Sequence, residues 1–276
     1  MTDGPECWQS LHGGRLVMMI NAAIAAGDLT LTHFRRPDLV VEAKADASPV
    51  TIADKSAEQL VRKLISDRFP EDTVQGEEFA DAMGASRYRW IVDPIDGTKS
   101  FVCGVPLYST LLALLIDDVP FAGIIVIPAL GEVICAAIDL GCWYRDSRNG
   151  QWTGAHVSAK TDIRSAVLLT SQRDLFARRG ADASFLAIEK SAWVSRTWGD
   201  GYGYLLVATG RAEIMVDPVC NPWDIAAMGP IMSEAGGKFS DWKGIDSVTS
   251  GEGLATNGKL HDEVLRWLAS SNSLDS

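Results

Sequence analysis

Residues 90–100 read Trp-Ile-Val-Asp-Pro-Ile-Asp-Gly-Thr-Lys-Ser, so a hydrophobic run leads directly into two carboxylates. The apolar start predicts a buried strand that ends at Asp93. Pro94 is expected to stop this strand, because proline donates no hydrogen bond to a sheet. Asp96 follows three residues after Asp93, and Gly97 allows the backbone to turn tightly. The stretch therefore predicts a strand followed by a compact acidic turn.

Asp93 and Asp96 repel each other in such a turn unless a cation lies between them. A hard divalent cation with oxygen ligands, Mg²⁺ or in its place Mn²⁺, fits two close carboxylates. The free backbone N–H groups around Gly97 and Thr98 could then hold a phosphate. An ordinary surface turn is the alternative, since Asp, Pro and Gly are the commonest turn residues.

Other carboxylates occur at comparable places along the chain. Glu77 and Glu78 follow a predicted strand at residues 73–74, and Asp224 opens a helix with an apolar face. Asp54 stands at the start of another predicted helix. Taken singly, the glutamates are typical of exposed surface, and the two aspartates are typical helix caps.

Periodicity predicts a mixture of helices and strands with no internal repeat. The predicted helices cover residues 10–33, 55–69, 202–209, 223–235 and 260–269, and the predicted strands cover 73–74, 88–92, 121–127, 133–138, 166–170 and 212–216. This order favours an α/β (α+β) protein of packed layers. We divide it into an N-terminal half, residues 1–155, with the acidic turn, and a C-terminal half, residues 156–276, with Asp224. The two halves are expected to form one compact catalytic unit.

Composition excludes several classes of function. With 276 residues, 47% of them hydrophobic, the chain has enough apolar surface for a large core, which excludes general disorder. Its formal charge of −11 repels phosphate backbones and anionic lipids, which argues against nucleic-acid and membrane partners. A phosphorylated substrate would need local cations, and a bound metal would supply them.

The cysteines and histidines bear on compartment and metal type. Five cysteines without a C-x-x-C pair favour reduced thiols and a cytoplasmic location. Four scattered histidines argue against a histidine-rich zinc site. The apolar residues 16–26 are interpreted as a core helix instead of a targeting segment, because Asn21 interrupts them and Asp28 follows.

The order of the acidic motifs resembles the inositol monophosphatase superfamily. Gly76-Glu77-Glu78 comes first, then Asp93-Pro94-Ile95-Asp96-Gly97-Thr98, then Trp223-Asp224 ahead of Glu234-Ala235-Gly236-Gly237. The resemblance covers nearly the whole chain, and its central hexapeptide is a specific motif. It implies a layered α/β/α/β/α sandwich, a lithium-sensitive Mg²⁺-dependent phosphomonoesterase and a homodimer. The apolar residues 107–127 are long enough to contribute to a dimer interface.

The resemblance also implies roles for individual residues. The metal ligands would be Glu77, Asp93, Asp96, Asp224 and the carbonyl oxygen of Ile95. Asp54 and Thr98 match the pair that orients the attacking water, and Glu77 belongs with them as a catalytic residue. Paired metals about 3.5–4 Å apart would activate the water and stabilise the leaving oxygen, so no Ser, Cys or His nucleophile is needed.

Within the superfamily, three segments look like the histidinol-phosphate phosphatase branch; they are residues 101–107, 196–204 and 208–213. That branch implies a small phosphorylated substrate, L-histidinol phosphate, which carries an ammonium group and an imidazole. Asp200 and Asp217 would suit such a cation. Arg196 would fix Asp200 or contact the phosphate, and Lys44 occupies a matching loop. The alternative is that Arg196 and Asp200 pair with each other and only hold a loop.

Two other functions stay open. An inositol-1-phosphate or general sugar-phosphate phosphatase would use the same metal chemistry. A regulatory or binding relative with incidental activity would be expected to have lost metal carboxylates. Glu77, Asp93, Asp96 and Asp224 are all present, which favours an enzyme.

Overall fold

The structure is a computed structural model that describes residues 5, 8, 11–44 and 48–269. The predicted start of the first helix at position 10 and the predicted loop residues 45–47 lie outside the described residues. In the described part, the α-helices are α1 Arg15–Leu31, α2 Ile52–Arg68, α3 Thr98–Val102, α4 Asp174–Arg178, α5 Asp182–Ser191, α6 Gly201–Ala208, α7 Pro222–Ile225, α8 Met228–Glu234 and α9 His261–Ala269. Short 3₁₀ turns occur at Leu11–Gly14 and Ile163–Ser165.

Seven strands form the larger sheet, in the order β3-β4-β5-β6-β7-β8-β9. Strands β3 and β4 are parallel, and every later neighbour is antiparallel. The bounds are β3 Thr73–Gly76, β4 Tyr88–Asp96, β5 Ser109–Ile116, β6 Val119–Ile127, β7 Glu132–Ala137, β8 Cys142–Arg145 and β9 Thr153–Gly154. The motif strand β4 therefore lies near one edge of this sheet, next to the strand that precedes Glu77.

Five strands form a second sheet, in the order β11-β10-β12-β14-β13. Strand β10 is parallel to both β11 and β12, whereas β14 is antiparallel to β12 and β13. Its bounds are β10 Val167–Leu169, β11 Val194–Arg196, β12 Ile214–Asp217, β13 Lys238–Ser240 and β14 Gly253–Thr256. A separate two-stranded sheet pairs the exposed β1 Val41–Ala43 with the mostly buried β2 Pro49–Thr51, directly before α2.

Alternating side chains of the strands enter different cores. Val92 of β4 and Leu112 of β5 pack under α1 and α2, whereas their neighbours Ile91 and Leu111 face α6 and α8. One face of the five-stranded sheet covers α6 and α8, and its other face packs on α4, α5 and α9. The layers thus run α/β/α/β/α, which confirms the predicted fold class.

The central core contains buried residues from both sides of position 155, including Ile134 and Met215. The division into two halves is not tested by this packing and stays a prediction. Residues 107–127 were expected to contribute to a dimer interface. They include β5 and β6, most of whose residues are buried within the chain itself. The expected interface is not tested by this burial and stays a prediction.

The helix at Leu11–Leu31 is long and apolar enough to span a membrane by length and composition alone. In the structure its inner side packs on α2 and on the larger sheet, and residues such as Leu16, Met19 and Ala23 are fully buried there. This packing agrees with the interpretation as a core helix.

Two of the differences from the predicted elements have a clear cause in the positions of prolines. Strand β4 does not stop at Pro94 but continues to Asp96, because a shift of register between Asp93 and Asp96 accommodates the proline as a bulge. The predicted helix at 223–235 is two helices, α7 and α8. Pro230 lacks the N–H that would bond to the carbonyl of residue 226, so one continuous helix cannot form there.

Candidate active site

Three carboxylates converge at the bulged end of β4. Asp93 and Asp96 come from that strand, and Asp224 comes from the first turn of α7. One carboxylate oxygen from each lies within 4.8 Å of the other two. Residues 131 positions apart in sequence thus form one cluster, as the metal prediction requires.

Local hydrogen bonds orient these side chains. The backbone N–H of Ile95 donates to Asp93 Oδ1 at 3.0 Å, and Ser109 Oγ donates to Asp96 Oδ2 at 2.8 Å. Asp96 Oδ2 also accepts the backbone N–H of Gly201. Asp224 Oδ2 accepts the N–H of Asn221 at 2.6 Å, because Asp224 is the third residue of α7 and closes a capping box. Each carboxylate therefore keeps at least one oxygen for another ligand.

Burial disfavours the charged forms of the carboxyl groups in this cluster. It raises the pKa of Asp93 and of Asp96 well above the ordinary range, and neighbouring carboxylates raise both further. Burial, followed by the nearby Glu77, Asp217 and Asp200, raises the pKa of Asp224 to about 7. A set of buried, oxygen-only donors with this repulsion fits a hard divalent cation such as Mg²⁺ or Mn²⁺.

Glu77 lies beside the cluster, where it contacts Asp93 and contributes to the raised pKa of that group. Its Oε1 also accepts a hydrogen bond from Lys44 Nζ at 2.5 Å. Lys44 Nζ donates in addition to Glu78 Oε1 at 2.6 Å. Lys44 thus contacts the acidic strand end instead of the wall of the neighbouring cavity, where a substrate contact was predicted.

Asp54 and Thr98 form a pair next to the cluster. Thr98 Oγ1 lies 3.0 Å from the carbonyl oxygen of Ile95 and 3.4 Å from Asp54 Oδ1. The other oxygen of Asp54 accepts both the N–H and the hydroxyl of Thr51, at 2.8 and 2.6 Å. The N-cap of α2 is Thr51, and Asp54 is the third residue of the helix. The helix thus begins three residues before the predicted start at residue 55, and Asp54 lies inside its first turn. Burial raises the pKa of Asp54.

A cavity of about 290 Å³ opens in front of these residues. Its lining includes Glu77, Asp96 and Asp224, and also Gly97, Thr98, Asp200 and Asp217. Gly97 has φ 84°, and a Cβ there would lie 2.6 Å from Asp200 Oδ2, so both its backbone and its surroundings require glycine. The cavity therefore combines residues of the carboxylate cluster with a second acidic pair, Asp200 and Asp217, which we call the acidic wall.

Similarity to known proteins agrees with this arrangement. Residues 15–273 match the Inositol monophosphatase family. The chain belongs to this family. The predicted family is thereby confirmed, and the match includes every residue of the carboxylate cluster.

Named relatives within the family are similar over most of the chain. A histidinol-phosphatase of Chlorobaculum parvum is 40% identical over 87% of this chain and 91% of its own, and one of Mycobacterium tuberculosis is 38% identical over 92% and 97%. A fructose-1,6-bisphosphatase/inositol-1-monophosphatase of Thermotoga maritima is 30% identical over 91% and 94%. Among solved structures, the extragenic suppressor protein suhB of Bartonella henselae superimposes with a TM-score of 0.84 at 26% identity, covering 91% of this chain and 96% of that one.

The carboxyl group of Asp217 is held by several hydrogen bonds. It accepts the N–H and hydroxyl of Ser171 at 2.8 and 2.9 Å, and the hydroxyl of Tyr204 at 3.2 Å. Burial raises its pKa to about 6. Ser171 Oγ also accepts the backbone N–H of Asp200 at 2.8 Å, so one serine joins both acidic residues of the wall.

Arg196 does not reach the cavity. Its side chain is exposed, it donates to the carbonyl of Ser195 at 2.7 Å, and it lies 6.0 Å from the ring of Trp198. Among the described residues no ion pair joins it to Asp200, whose charged neighbour is Lys99. The geometry therefore supports neither the predicted substrate contact nor its structural alternative, because Arg196 is an exposed residue at the end of the edge strand β11 and its guanidinium donates to the carbonyl of the preceding residue.

Sequence reasoning missed Lys99, Ser171 and Gln172. Among the described residues that line the cavity, Lys99 is the single basic one, and its Nζ donates to Gln172 Oε1 at 2.5 Å. The position of Lys99 directly after Thr98 was a usable signal. Ser171 and Gln172 lie just beyond β10, and no motif in the sequence marks them.

Proposed function

We propose that this protein is a Mg²⁺-dependent phosphomonoesterase that hydrolyses L-histidinol phosphate to L-histidinol and phosphate. The observation that carries the proposal is the Asp93–Asp96–Asp224 carboxylate cluster, two members of which, Asp96 and Asp224, line a cavity together with the acidic wall. The greater similarity to histidinol-phosphatases than to the Thermotoga maritima enzyme supports this branch of the family.

Glu77, Asp93, Asp96, Asp224 and the carbonyl of Ile95 would hold the metal, with Mn²⁺ as a possible substitute. Bound there, the metal would lower the pKa of a water molecule and offset the charge of the phosphate. The carbonyl of Ile95 accepts from Thr98 with one lone pair and keeps the other for this purpose.

The chain's own groups position the reactants. Asp54 Oδ1 and Thr98 Oγ1 would hold the attacking water by hydrogen bonds, since Asp54 Oδ2 is already occupied by Thr51. The N–H groups around Gly97 and Thr98, with the ammonium of Lys99, would bind the phosphate oxygens. The water oxygen attacks phosphorus, and the bond between phosphorus and the alcohol oxygen breaks.

Asp200 and Asp217 would recognise the positive end of the substrate. Asp200 is the better placed of the two, because Ser171 and Tyr204 already occupy the oxygens of Asp217. Burial raises the pKa of Asp200, and the hydrogen bond from Ser171 and the nearby Lys99 oppose this rise. The cavity lining thus offers both a cation, Lys99, and the carboxyl groups of Asp200 and Asp217. A substrate with a phosphate at one end and an ammonium group at the other matches this polarity.

The same site would also serve an inositol or sugar phosphate, and the similarity to the Thermotoga maritima enzyme keeps this second candidate open. A purely regulatory role is disfavoured because the carboxylate cluster is complete. We further propose a homodimer, inhibition by lithium and a cytoplasmic location. No disulfide joins the cysteines of the described residues, Cys103, Cys135, Cys142 and Cys220, which supports a reducing compartment.

Phosphate release from L-histidinol phosphate and from inositol 1-phosphate, with Mg²⁺ and with EDTA, tests the proposal. We expect a strong preference for histidinol phosphate that EDTA abolishes. Preference for inositol phosphate would keep the metal chemistry and contradict the substrate assignment. Turnover that is unaffected by EDTA would contradict the metal.

A further inference from the structure

Glu58 is a fully buried carboxylate one turn beyond Asp54 on α2. Its Oε1 accepts a hydrogen bond from Arg62 Nε at 2.7 Å, and its Oε2 accepts the backbone N–H of Glu78 at 2.7 Å. The second bond spans 20 residues of sequence and joins α2 to the strand end that carries Glu77. The side chain of Glu58 therefore contacts the backbone of the segment that carries Glu77 and Glu78, and Glu58 is not among the residues that line the cavity.

Arg62 extends the same connection. Its Nη1 donates to the carbonyl of Val74 at 3.3 Å, and its Nη2 donates to the carbonyl of Phe79 at 3.1 Å. These two carbonyls lie on either side of Glu77. Together, Glu58 and Arg62 bond to three backbone groups of residues 74–79, while their side chains are only 0% and 16% exposed.

Gly76 is adapted to this contact. A Cβ at position 76 would lie 2.1 Å from Glu58 Oε1 and 2.7 Å from Oε2, far inside contact distance. The absence of a side chain lets the carboxylate of Glu58 pack directly against the backbone that precedes Glu77. Because the approach leaves no free space, a movement of Glu58 would have to move that backbone as well.

We propose that the Glu58–Arg62 pair positions the carboxylate of Glu77 for metal binding. The inference rests on the proposed function, since that proposal assigns Glu77 to the metal. Groups that orient a metal ligand govern affinity even though they do not touch the ion. Glu58 and Arg62 are positioning residues of this kind, and neither contacts substrate.

The substitution Glu58→Gln tests the pair with almost no change of shape. A glutamine offers one acceptor and one NH₂ group to two donors, so either Arg62 or the N–H of Glu78 loses its partner. The matched control is Asp67→Asn, which removes the exposed Lys63–Asp67 pair of the same spacing on the same helix. Isothermal titration of each variant with MgCl₂ measures the affinity directly, without turnover.

We expect E58Q to bind Mg²⁺ about 10-fold or more weakly, with kcat at saturating Mg²⁺ near that of the wild type, and D67N to bind as the wild type does. A lower Tm for E58Q with unchanged Mg²⁺ affinity would overturn the inference and leave the pair a purely structural one. Failure of the wild type itself to bind Mg²⁺ would instead overturn the proposed function.

A second variant covers the case in which E58Q does not fold. Arg62→Lys keeps the charge opposite Glu58 but cannot reach both carbonyls that flank Glu77. We expect weaker Mg²⁺ binding in the same titration, by a smaller factor than for E58Q. Wild-type affinity in a folded R62K would count against the pair as a positioning device.

Discussion

Asp96 Oδ2 accepts the backbone N–H of Gly201, so the last residue of β4 is tied directly to the first residue of α6. Ser109 donates to the same oxygen from β5. The two donors leave Asp96 Oδ1 for a further ligand and join the motif strand to the segment that carries Asp200. The carboxylate cluster and the segment that carries Asp200 are thus connected through one carboxylate.

Asp93→Asn is expected to abolish Mg²⁺-dependent activity while leaving the fold intact. The amide keeps the shape of the side chain but removes the charge that would bind the cation, and in doing so it relieves repulsion from Glu77, Asp96 and Asp224. The melting temperature of the metal-free variant should therefore equal or exceed that of the metal-free wild type. Phosphate release and thermal melts with EDTA measure both. Normal turnover by the variant would contradict the metal assignment.

The stability of the metal-free protein should fall as pH rises from 6.5 to 8. The pKa of Asp224 is raised to about 7, whereas in the unfolded chain an aspartate has lost its proton by pH 5. The folded state therefore binds more protons in this window, and the free energy of unfolding decreases with pH. His261 acts in the opposite direction, since its pKa is lowered to about 4, but the unfolded histidine is mostly neutral above pH 6.5.

Urea titrations in EDTA at pH 6.5 and pH 8 measure this difference. The same titrations with saturating MgCl₂ are the control, because a bound cation would replace the protons and remove or reverse the trend. A free energy of unfolding that rises with pH in EDTA would show that the cluster does not hold its protons as described.

Lys99→Met should raise KM for every phosphomonoester by a similar factor. The substitution removes the single basic side chain among the described residues of the cavity wall and keeps a comparable length of chain. Inorganic phosphate should also inhibit the variant more weakly, because it shares the group that Lys99 would bind. Steady-state kinetics with two substrates and with phosphate as inhibitor test this. An effect on histidinol phosphate alone would contradict the assignment of Lys99 to the phosphate.

The family and the carboxylate cluster could be predicted from sequence because their residues lie in short, contiguous motifs. Asp93 and Asp96 are fixed by one strand, and Asp224 by one helix start. The roles of Arg196 and Lys99 could not be read in the same way. Whether a side chain faces the cavity depends on the packing of two sheets, and Arg196 lies on an edge strand that the pattern of residues 196–204 does not reveal. The prediction that Pro94 ends the strand is wrong because a β-bulge can accommodate a proline within a strand.

Asp200→Asn should raise KM for L-histidinol phosphate much more than KM for inositol 1-phosphate. Asp200 has φ 55° and ψ −157°, a strained backbone conformation, and asparagine has the same shape and size as aspartate, so the substitution should add no strain at the start of α6. The substitution then removes only the negative charge that would face the ammonium group of histidinol phosphate. Inositol phosphate has no such group. Kinetics with both substrates, at a Mg²⁺ concentration that saturates each variant, separate this effect from altered metal binding. Equal increases in KM for the two substrates would contradict the assignment of Asp200 to the ammonium group. A change in kcat alone would indicate that Asp200 acts through Asp96, which accepts the N–H of the neighbouring Gly201.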